Sequence, residues 1–407
     1  MPGISRLVVV GASLAGLRAV EAVRTAGYSG SITLIGAEGL LPYDRPPLSK
    51  KVLDPGPSPE STQFRTQEIL GDQLGVELVL GTAASSIDTS ERVIVVGDRR
   101  IDYTAAVIAT GADARRLPGQ TDSLGGVHVL RTQDDARAVR SALDAGARTV
   151  VIGAGFIGSE VASAARKRGL AATVVEALPT PLTRSVGSEL GAALTRIHTA
   201  HGTEVLCGAA VSGIEGESGH VRRVHLADGT VLDADLVVVG IGTVPATDWL
   251  NGSGVAIDNG VRCDQFLATT AAGVYAAGDV ANWHNPLFER SMRIEHWTSA
   301  AEQGARAALN ALDPSAAQPY STVPYFWSDW YEHRIQFVGV PAGDGHEVVS
   351  GALDSNHFVV LYRDGDLLSA ALTLNGQRHI MKYRNLINRR VTFDEALAFA
   401  RARASSN

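Results

Sequence analysis

The sequence predicts an α/β protein of two Rossmann-like folds, the second inserted in the first, followed by a small α+β C-terminal domain. Three observations carry this. Two glycine-rich turns, Gly11-Ala12-Ser13-Leu14-Ala15-Gly16 and Gly153-Ala154-Gly155-Phe156-Ile157-Gly158, each follow an apolar strand and open a helical stretch. Each is followed, one strand later, by an acid, Glu38 or Glu176. A late apolar strand in Gly273-Val274-Tyr275-Ala276-Ala277 ends on Gly278-Asp279; if Asp279 completes the first dinucleotide site, the second fold is inserted within the first.

Length and composition bound the rest. A chain of 407 residues is too long for one core. With 45% hydrophobic and 19% charged residues it is an ordinary globular chain. A net charge of −7 argues against a general nucleic-acid binder. The two cysteines, Cys207 and Cys263, form no CxxC. They read as structural thiols, and no metal site is expected. A strand begins at Arg6, leaving no room for a cleavable signal, and no apolar run approaches the roughly 20 residues that span a bilayer. A cytoplasmic protein with no membrane partner is expected.

The first fold reads as strand Val8–Val10, the glycine turn, a helix to about Ala26, and strand Ser31–Ile35. Such a turn brings backbone N–H groups and a helix N-terminus to a pyrophosphate, while the acid after the next strand accepts from ribose hydroxyls. Glu38 follows Gly16 by about 22 positions, close to the spacing of about 20 expected. Ser13 stands where the motif has its second glycine. Gly11, Ser13, Gly16 and Glu38 are the dinucleotide candidates here. In the second fold Gly153, Gly155, Ile157 and Gly158 lead a helix to about Arg168 and a strand Ala172–Val175, with Glu176 about 18 positions past Gly158.

An antiparallel excursion, Asp88 to Tyr103, returns through Ala106–Ala109 to Thr110-Gly111. Its counterpart in the second fold, with an Asp228-Gly229 turn, returns through Leu236–Val239 to Gly242. Thr110, Gly111 and Gly242, at the ends of these two returns, are further cofactor-binding candidates. Beyond Val323, His346–Leu374 reads as alternating strands with an Asp364-Gly365 hairpin, and Thr392-Phe393-Asp394-Glu395 as the capping box of a last helix. The expected division is 1–111 and 243–322 for the first fold, 112–242 for the second and 323–407 for the C-terminal domain.

Pro42-Tyr43-Asp44-Arg45-Pro46-Pro47-Leu48-Ser49-Lys50 is the most specific segment. With Ala109-Thr110-Gly111, Gly278-Asp279-Val280, Glu295-His296-Trp297, Gln303 and Tyr325–Asp329, it resembles the NADH-dependent ferredoxin and rubredoxin reductases of bacterial oxygenase systems. These form a branch of the pyridine-nucleotide-disulfide oxidoreductases, with a glutathione-reductase-like fold. The resemblance spans nearly the whole chain and implies non-covalent FAD on the first fold and NADH on the second.

It further implies that Arg45 and Lys50 line the flavin site, with Lys50 near N5 and paired to Glu160. Asp279 then holds the ribityl chain, and Glu295, His296 and Trp297 lie by the ring. Arg184 reaches the adenosine or pyrophosphate, or else lies on the surface. Arg65, Arg306, Trp327 and Trp330 are the docking candidates for a small iron–sulfur ferredoxin, the alternative for the two arginines being solvated helix positions. Lys382, Arg384, Arg389 and Arg390 are a weaker second basic run. Besides Ser13, the departures are Trp330, where this branch more often has glutamine, and Ser299, where it has asparagine.

The resulting expectation is an NADH:ferredoxin reductase: hydride to flavin N5, then single electrons to the ferredoxin of an oxygenase system. An NADH oxidase or peroxidase, or a disulfide reductase, needs a redox cysteine beside the flavin, and none occurs before Cys207. A redox-sensing flavoprotein resembling apoptosis-inducing factor would share the fold and the lysine–glutamate pair. The oligomeric state, monomer or weak dimer, stays open.

Overall fold

The computed structural model describes residues 4–57, 59, 61–118, 124–341 and 345–404. Contacts divide the chain into two compact units. One comprises Met1–Asp44, Ser61–Asp113 and Val244–Pro324; the other comprises Arg45–Glu60, Ala114–Thr243 and Tyr325–Asn407.

In the first unit a five-stranded parallel sheet runs in the order Val274–Ala276, Ala105–Ile108, Arg6–Val10, Ser31–Gly36, Val76–Leu80. Arg6–Val10 is central and covered on both faces, which is why its sequence is an unbroken apolar run rather than an alternating one. The late strand Val274–Ala276 pairs with Ala105–Ile108, so the first fold is indeed completed after the second. Helix Leu14–Thr25 packs on helix Trp297–Leu312. The two approach closely at Gly304, where an added Cβ would stand 2.1 Å from the Ala15 carbonyl oxygen. The excursion Asp88 to Tyr103 is part of a three-stranded antiparallel sheet of Ala84–Asp88, Val93–Val96 and Arg99–Asp102.

The second unit repeats the plan with Thr149–Ile152 at its centre, parallel to Ala172–Glu176 and Leu236–Val239, with Glu204–Cys207 and Val127–His128 at the edges. The antiparallel meander Val211–Glu217, His220–Leu226, Val231–Asp233 contains the Asp228-Gly229 turn, Gly229 taking φ +92°. The C-terminal sheet is antiparallel, in the order Tyr325–Trp330, His333–Gly339, Leu367–Leu374, Phe358–Asp364, Gly345–Gly351. Two helices follow, Gln377–Asn388 and Phe393–Ala404. The Thr392 hydroxyl accepts from the Glu395 N–H at 3.2 Å, and the Glu395 carboxylate accepts from the Thr392 N–H at 2.8 Å. This closes the capping box.

Contacts group two segments in a way the sequence boundaries do not show. The C-terminal sheet shares a core with helix Ser188–Ala200: Leu190 and Leu194 pack among Ile335, Phe337, Phe358 and Leu372. Arg45–Glu60 belongs with the second unit because arginines grip its backbone. Arg140 donates to the Val52 carbonyl at 2.8 Å and the Asp54 carbonyl at 3.3 Å, and Arg168 donates to the Leu53 carbonyl at 2.5 Å. The division at 111, 242 and 322 is kept as a proposal. No helix among the described residues is long and apolar enough to cross a membrane.

Candidate active site

Each unit carries a glycine cradle built for close approach. Gly11 has φ +122°, and a Cβ there would stand 2.0 Å from the Ala109 carbonyl oxygen. A Cβ on Gly16 would stand 1.9 Å from the Gly11 carbonyl oxygen. In the second cradle Gly153, with φ +102°, lies against the Gly240 carbonyl, and Gly158 lies against the Gly153 carbonyl. The middle position differs in kind. A Cβ on Gly155 would meet no protein atom nearer than 3.8 Å, so packing within the chain does not require glycine there. The space suits a ligand's backbone instead.

Ser13 is accommodated for the same reason. It is the N-cap of Leu14–Thr25 in an extended conformation, φ −115° and ψ −158°, which any residue adopts. Neither helix Leu14–Thr25 nor helix Phe156–Arg166 has a side-chain cap or an acid in its first turn. Helix N-termini left this way attract a phosphate. The residues therefore fit a dinucleotide in each unit.

The acids lie where the spacing puts them. Glu38 is half-buried and accepts from Tyr43 Oη at 2.6 Å. Glu176 ends strand Ala172–Glu176; it accepts from the Ala154 N–H at 2.9 Å and from the Leu178 N–H at 2.9 Å. Its carboxylate is thereby fixed beside the glycine turn. The Gly278 N–H donates to Gln303 Oε1 at 2.8 Å, the Asp279 carbonyl accepts from Arg293 at 3.2 Å, and Arg293 pairs with Glu295 at 2.6 Å. Trp297 Nε1 donates to Asp44 at 2.8 Å. Thr110 Oγ1 donates to the Ala246 carbonyl at 2.9 Å, and the Gly111 carbonyl accepts from the Ala246 N–H at 3.0 Å. His296 has a buried Nδ1 although the residue is half-exposed overall, and burial pushes its pKa down to about 4.

In the second unit Lys50 follows the short helical turn Pro46–Ser49, and Glu160 lies on helix Phe156–Arg166. Lys50 Nζ is 2.9 Å from each Glu160 carboxylate oxygen. Glu160 is 3% exposed and also accepts from Ser49 Oγ, Ser328 Oγ and the Asp329 N–H. A carboxylate buried this far persists as an anion only when donors surround it, and here four do. Arg45 lies nearby in sequence, its guanidinium donating to the Arg131 carbonyl at 2.6 Å. Gly242 takes φ +101° with nothing within 4 Å of an added Cβ, whereas Arg184 is exposed on the short helix Thr183–Val186. Ile157 is 44% exposed at the start of its helix.

Trp330 requires a correction. It is not a docking residue: it is 1% exposed, its ring stacked on His198 at 4.7 Å, and its Nε1 donates to Ser328 Oγ at 2.9 Å. Strand alternation turns it toward helix Ser188–Ala200, away from solvent. Trp327, on the same strand, is half-buried, with the Arg334 guanidinium 5.7 Å from its ring centroid. Arg65 and Arg306 are both half-buried, and Arg65 pairs with Glu21 at 2.8 Å.

Cys207 is exposed and Cys263 buried; desolvation, only partial at Cys207, and the nearby Glu176 and Asp264 carboxylates raise the pKa of the two thiols. Among the described residues one histidine–carboxylate group, His201, Glu332 and His333, has ligand atoms within 4.8 Å of one another. Asn375 fixes the tautomer of one member, His333. Its Oδ1 accepts from the Arg334 N–H and its Nδ2 donates to the Asn356 carbonyl, so Nδ2 also donates to His333 Nδ1 at 2.9 Å. His333 Nε2 then carries the proton it directs at Glu332, 3.2 Å away.

The sequence reading missed Ser49 and Ser328, although both lie inside the segments it singled out, and also Arg140 and Arg168. An arginine that donates to backbone carbonyls leaves no local sequence signal.

A family model described as pyridine nucleotide-disulphide oxidoreductase matches residues 5–304, and one described as reductase C-terminal matches residues 325–404. The chain is 37% identical to rhodocoxin reductase of Rhodococcus erythropolis, over 94% of this chain and 89% of that protein. It is 32% identical to putidaredoxin reductase of Pseudomonas putida, over 96% of this chain and 93% of that protein. The reductase in a crystal structure of the covalent putidaredoxin reductase–putidaredoxin complex superposes with TM-score 0.92 at 31% identity, covering 99% of each chain.

Proposed function

Because this chain belongs to the pyridine nucleotide-disulphide oxidoreductase family, we propose that it is an NADH:ferredoxin reductase that works through non-covalent FAD in the cytoplasm. Flavin and NAD(H) use come with the family. The observation that carries the proposal is the buried Glu160 carboxylate holding the Lys50 ammonium at 2.9 Å in a chain whose two cysteines, Cys207 and Cys263, are both free. That is the equipment of a reductase without a redox disulfide. The relatives named above, reductases of small redox proteins, support the partner class.

Flavin, when bound, would supply the chemistry of two-electron acceptance from NADH at N5 and single-electron release. The chain's own residues do the rest. The first cradle, with Gly11, Ser13 and Gly16, receives the FAD pyrophosphate at its helix N-terminus, Glu38 the ribose, and Asp279 the ribityl chain. The second cradle receives NADH, with Gly155 leaving space for its pyrophosphate and Glu176 facing the adenosine ribose. Lys50 keeps a positive charge where negative charge develops on hydride arrival, and Glu160 offsets the cost of burying that charge.

Purified protein should be yellow, release FAD on denaturation and bleach anaerobically on adding NADH. A colourless protein that FAD does not reconstitute contradicts the proposal.

A further inference from the structure

We infer that Ser328, oriented by Trp330, is a positioning residue for the Lys50–Glu160 pair, so that the C-terminal sheet sets the geometry of the reductive site. The inference rests on the function proposed above for that pair. An indole N–H only donates, and Trp330 Nε1 lies 2.9 Å from Ser328 Oγ. The Ser328 oxygen must therefore accept from Trp330, which leaves its single proton for Glu160 Oε1. The hydroxyl has one orientation, and the chain Trp330 to Ser328 to Glu160 runs one way.

The origin of that chain is rigid. Trp330 is 1% exposed and stacks on His198, which is 2% exposed and has its Nδ1 2.9 Å from Tyr331 Oη. Tyr331 Oη in turn lies 2.7 Å from Thr203 Oγ1, and the Tyr331 N–H donates to Ser163 Oγ at 2.6 Å. Ser163 is on the same helix as Glu160. Strand Tyr325–Trp330 is thus tied to helix Phe156–Arg166 through Ser328 and Asp329, and the residue just after it, Tyr331, makes a second tie.

The Glu160 carboxylate is oriented from both sides. Ser49 Oγ donates to Oε2, while Ser328 Oγ and the Asp329 N–H donate to Oε1. Lys50 reaches both oxygens. Without Ser328, Oε1 keeps only the Asp329 N–H and Lys50. The carboxylate can then turn about its last torsion and release the ammonium from its position.

The test compares flavin-loaded wild-type protein with Ser328→Ala, Ser328→Thr, Trp330→Phe and the Ser328→Ala/Trp330→Phe double variant. The double variant leaves no orphaned indole N–H, which separates positioning from a buried-polar defect. One readout is stopped-flow flavin reduction against NADH concentration, which resolves the limiting rate from the dissociation constant. The other uses flavin-free protein: mass-spectrometric rates of amine acylation at Lys50, with Lys51 and Lys167 as internal references for general loosening.

Ser328→Ala and the double variant should lower the limiting reduction rate by about tenfold, the scale of one charge-assisted hydrogen bond, with the NADH dissociation constant unchanged. Lys50 labelling should rise by about the same factor and the reference lysines should not. Ser328→Thr should restore both readouts, and Trp330→Phe should show a smaller change in the same direction. Wild-type values in Ser328→Ala, failure of threonine to rescue, or equal rises at all three lysines each overturn the inference. If Lys50→Ala and Glu160→Gln slow reduction while Ser328→Ala does not, only the positioning role falls. If the pair variants leave reduction unchanged, the pair's proposed function falls and this inference with it.

Discussion

Lys50 and Glu160, 110 residues apart in sequence, meet at 2.9 Å, with the carboxylate side chain 2% exposed and the ammonium side chain 17% exposed. An ion pair this deep gives little net stability, since desolvation cancels most of the Coulomb attraction. Its presence calls for a role beyond holding the fold. Removing the lysine alone leaves a buried anion with only neutral donors.

Lys50→Ala should slow flavin reduction by NADH by about 100-fold, the scale of losing one preorganised charge at a reacting centre. The NADH dissociation constant should move by less than about threefold, because the charge develops on the flavin and not on the bound nucleotide. Stopped-flow absorbance resolves the two. An unchanged limiting rate contradicts the assignment.

Glu176 predicts a nicotinamide preference. Both carboxylate oxygens are anchored by backbone N–H groups at 2.9 Å, so the acid cannot easily swing away from a 2′-phosphate. Such like-charge juxtaposition costs several kcal/mol, and NADH should be preferred by about 100-fold or more in kcat/KM. Glu176→Ala should narrow that ratio. Equal efficiency of wild type with the two nucleotides would show that the acid does not face the ribose.

The glycines separate packing from binding. Gly11→Ala places a methyl 2.0 Å from the Ala109 carbonyl oxygen at φ +122°, so the first unit should fold poorly and bind no flavin. Gly155→Ala has no such clash, its nearest atom being 3.8 Å away and its φ −76°. Stability should change by no more than about 1 kcal/mol while NADH binding weakens by about tenfold or more. Calorimetric unfolding and nucleotide titration on the same sample check both halves.

Buried His198 makes stability depend on pH. Burial is the main cause that lowers its pKa from 6.5 to about 4, with the nearby His201 acting in the same direction. A histidine kept neutral by the fold takes up a proton more readily when unfolded. Its contribution is therefore fully present above about pH 6.5 and is lost as pH falls toward about 4, by roughly 3 kcal/mol in all. His198→Gln should flatten the fall in unfolding temperature between those pH values relative to wild type. Parallel curves would remove His198 as its source.

Arg65 and Arg306 are kept as the proposed ferredoxin-docking positions. Because Arg65 is paired with Glu21, a neutral Arg65→Gln avoids the new repulsion that charge reversal would introduce. The Arg65→Gln/Arg306→Gln double variant should lose about tenfold in ferredoxin coupling at low salt, along with most of its salt dependence. NADH–ferricyanide turnover should be unaffected. Retention of both activities would place docking elsewhere.

Much of the fold was legible because fully covered strands such as Arg6–Val10 and Thr149–Ile152 are continuous apolar runs closed by glycine turns. The Thr392–Glu395 capping box and the Asp364-Gly365 hairpin were equally plain, since each is specified within four residues. Long-range relations were not. Trp330 alternates correctly on its strand, yet which face helix Ser188–Ala200 covers is decided by packing 132 residues away, as the His198–Trp330 stack shows. Ser328 looks like any strand serine until Glu160 is placed beside it. The attachment of Arg45–Glu60 to the second unit rests on Arg140 and Arg168 donating to its carbonyls, an interaction indifferent to the side chains of the segment it holds.

The central claim is electron delivery from NADH to a ferredoxin through bound flavin. Its most direct measurement is anaerobic sequential mixing: flavin-loaded protein with one equivalent of NADH, then with an oxidised one-electron iron–sulfur ferredoxin, following flavin and iron–sulfur absorbance separately. The account predicts bleaching of the flavin in the first mix, then its recovery as ferredoxin is reduced, two ferredoxins per NADH. Flavin that bleaches with NADH yet stays reduced in the presence of several ferredoxins would contradict it, and would point to a protein that holds its electrons rather than passing them on.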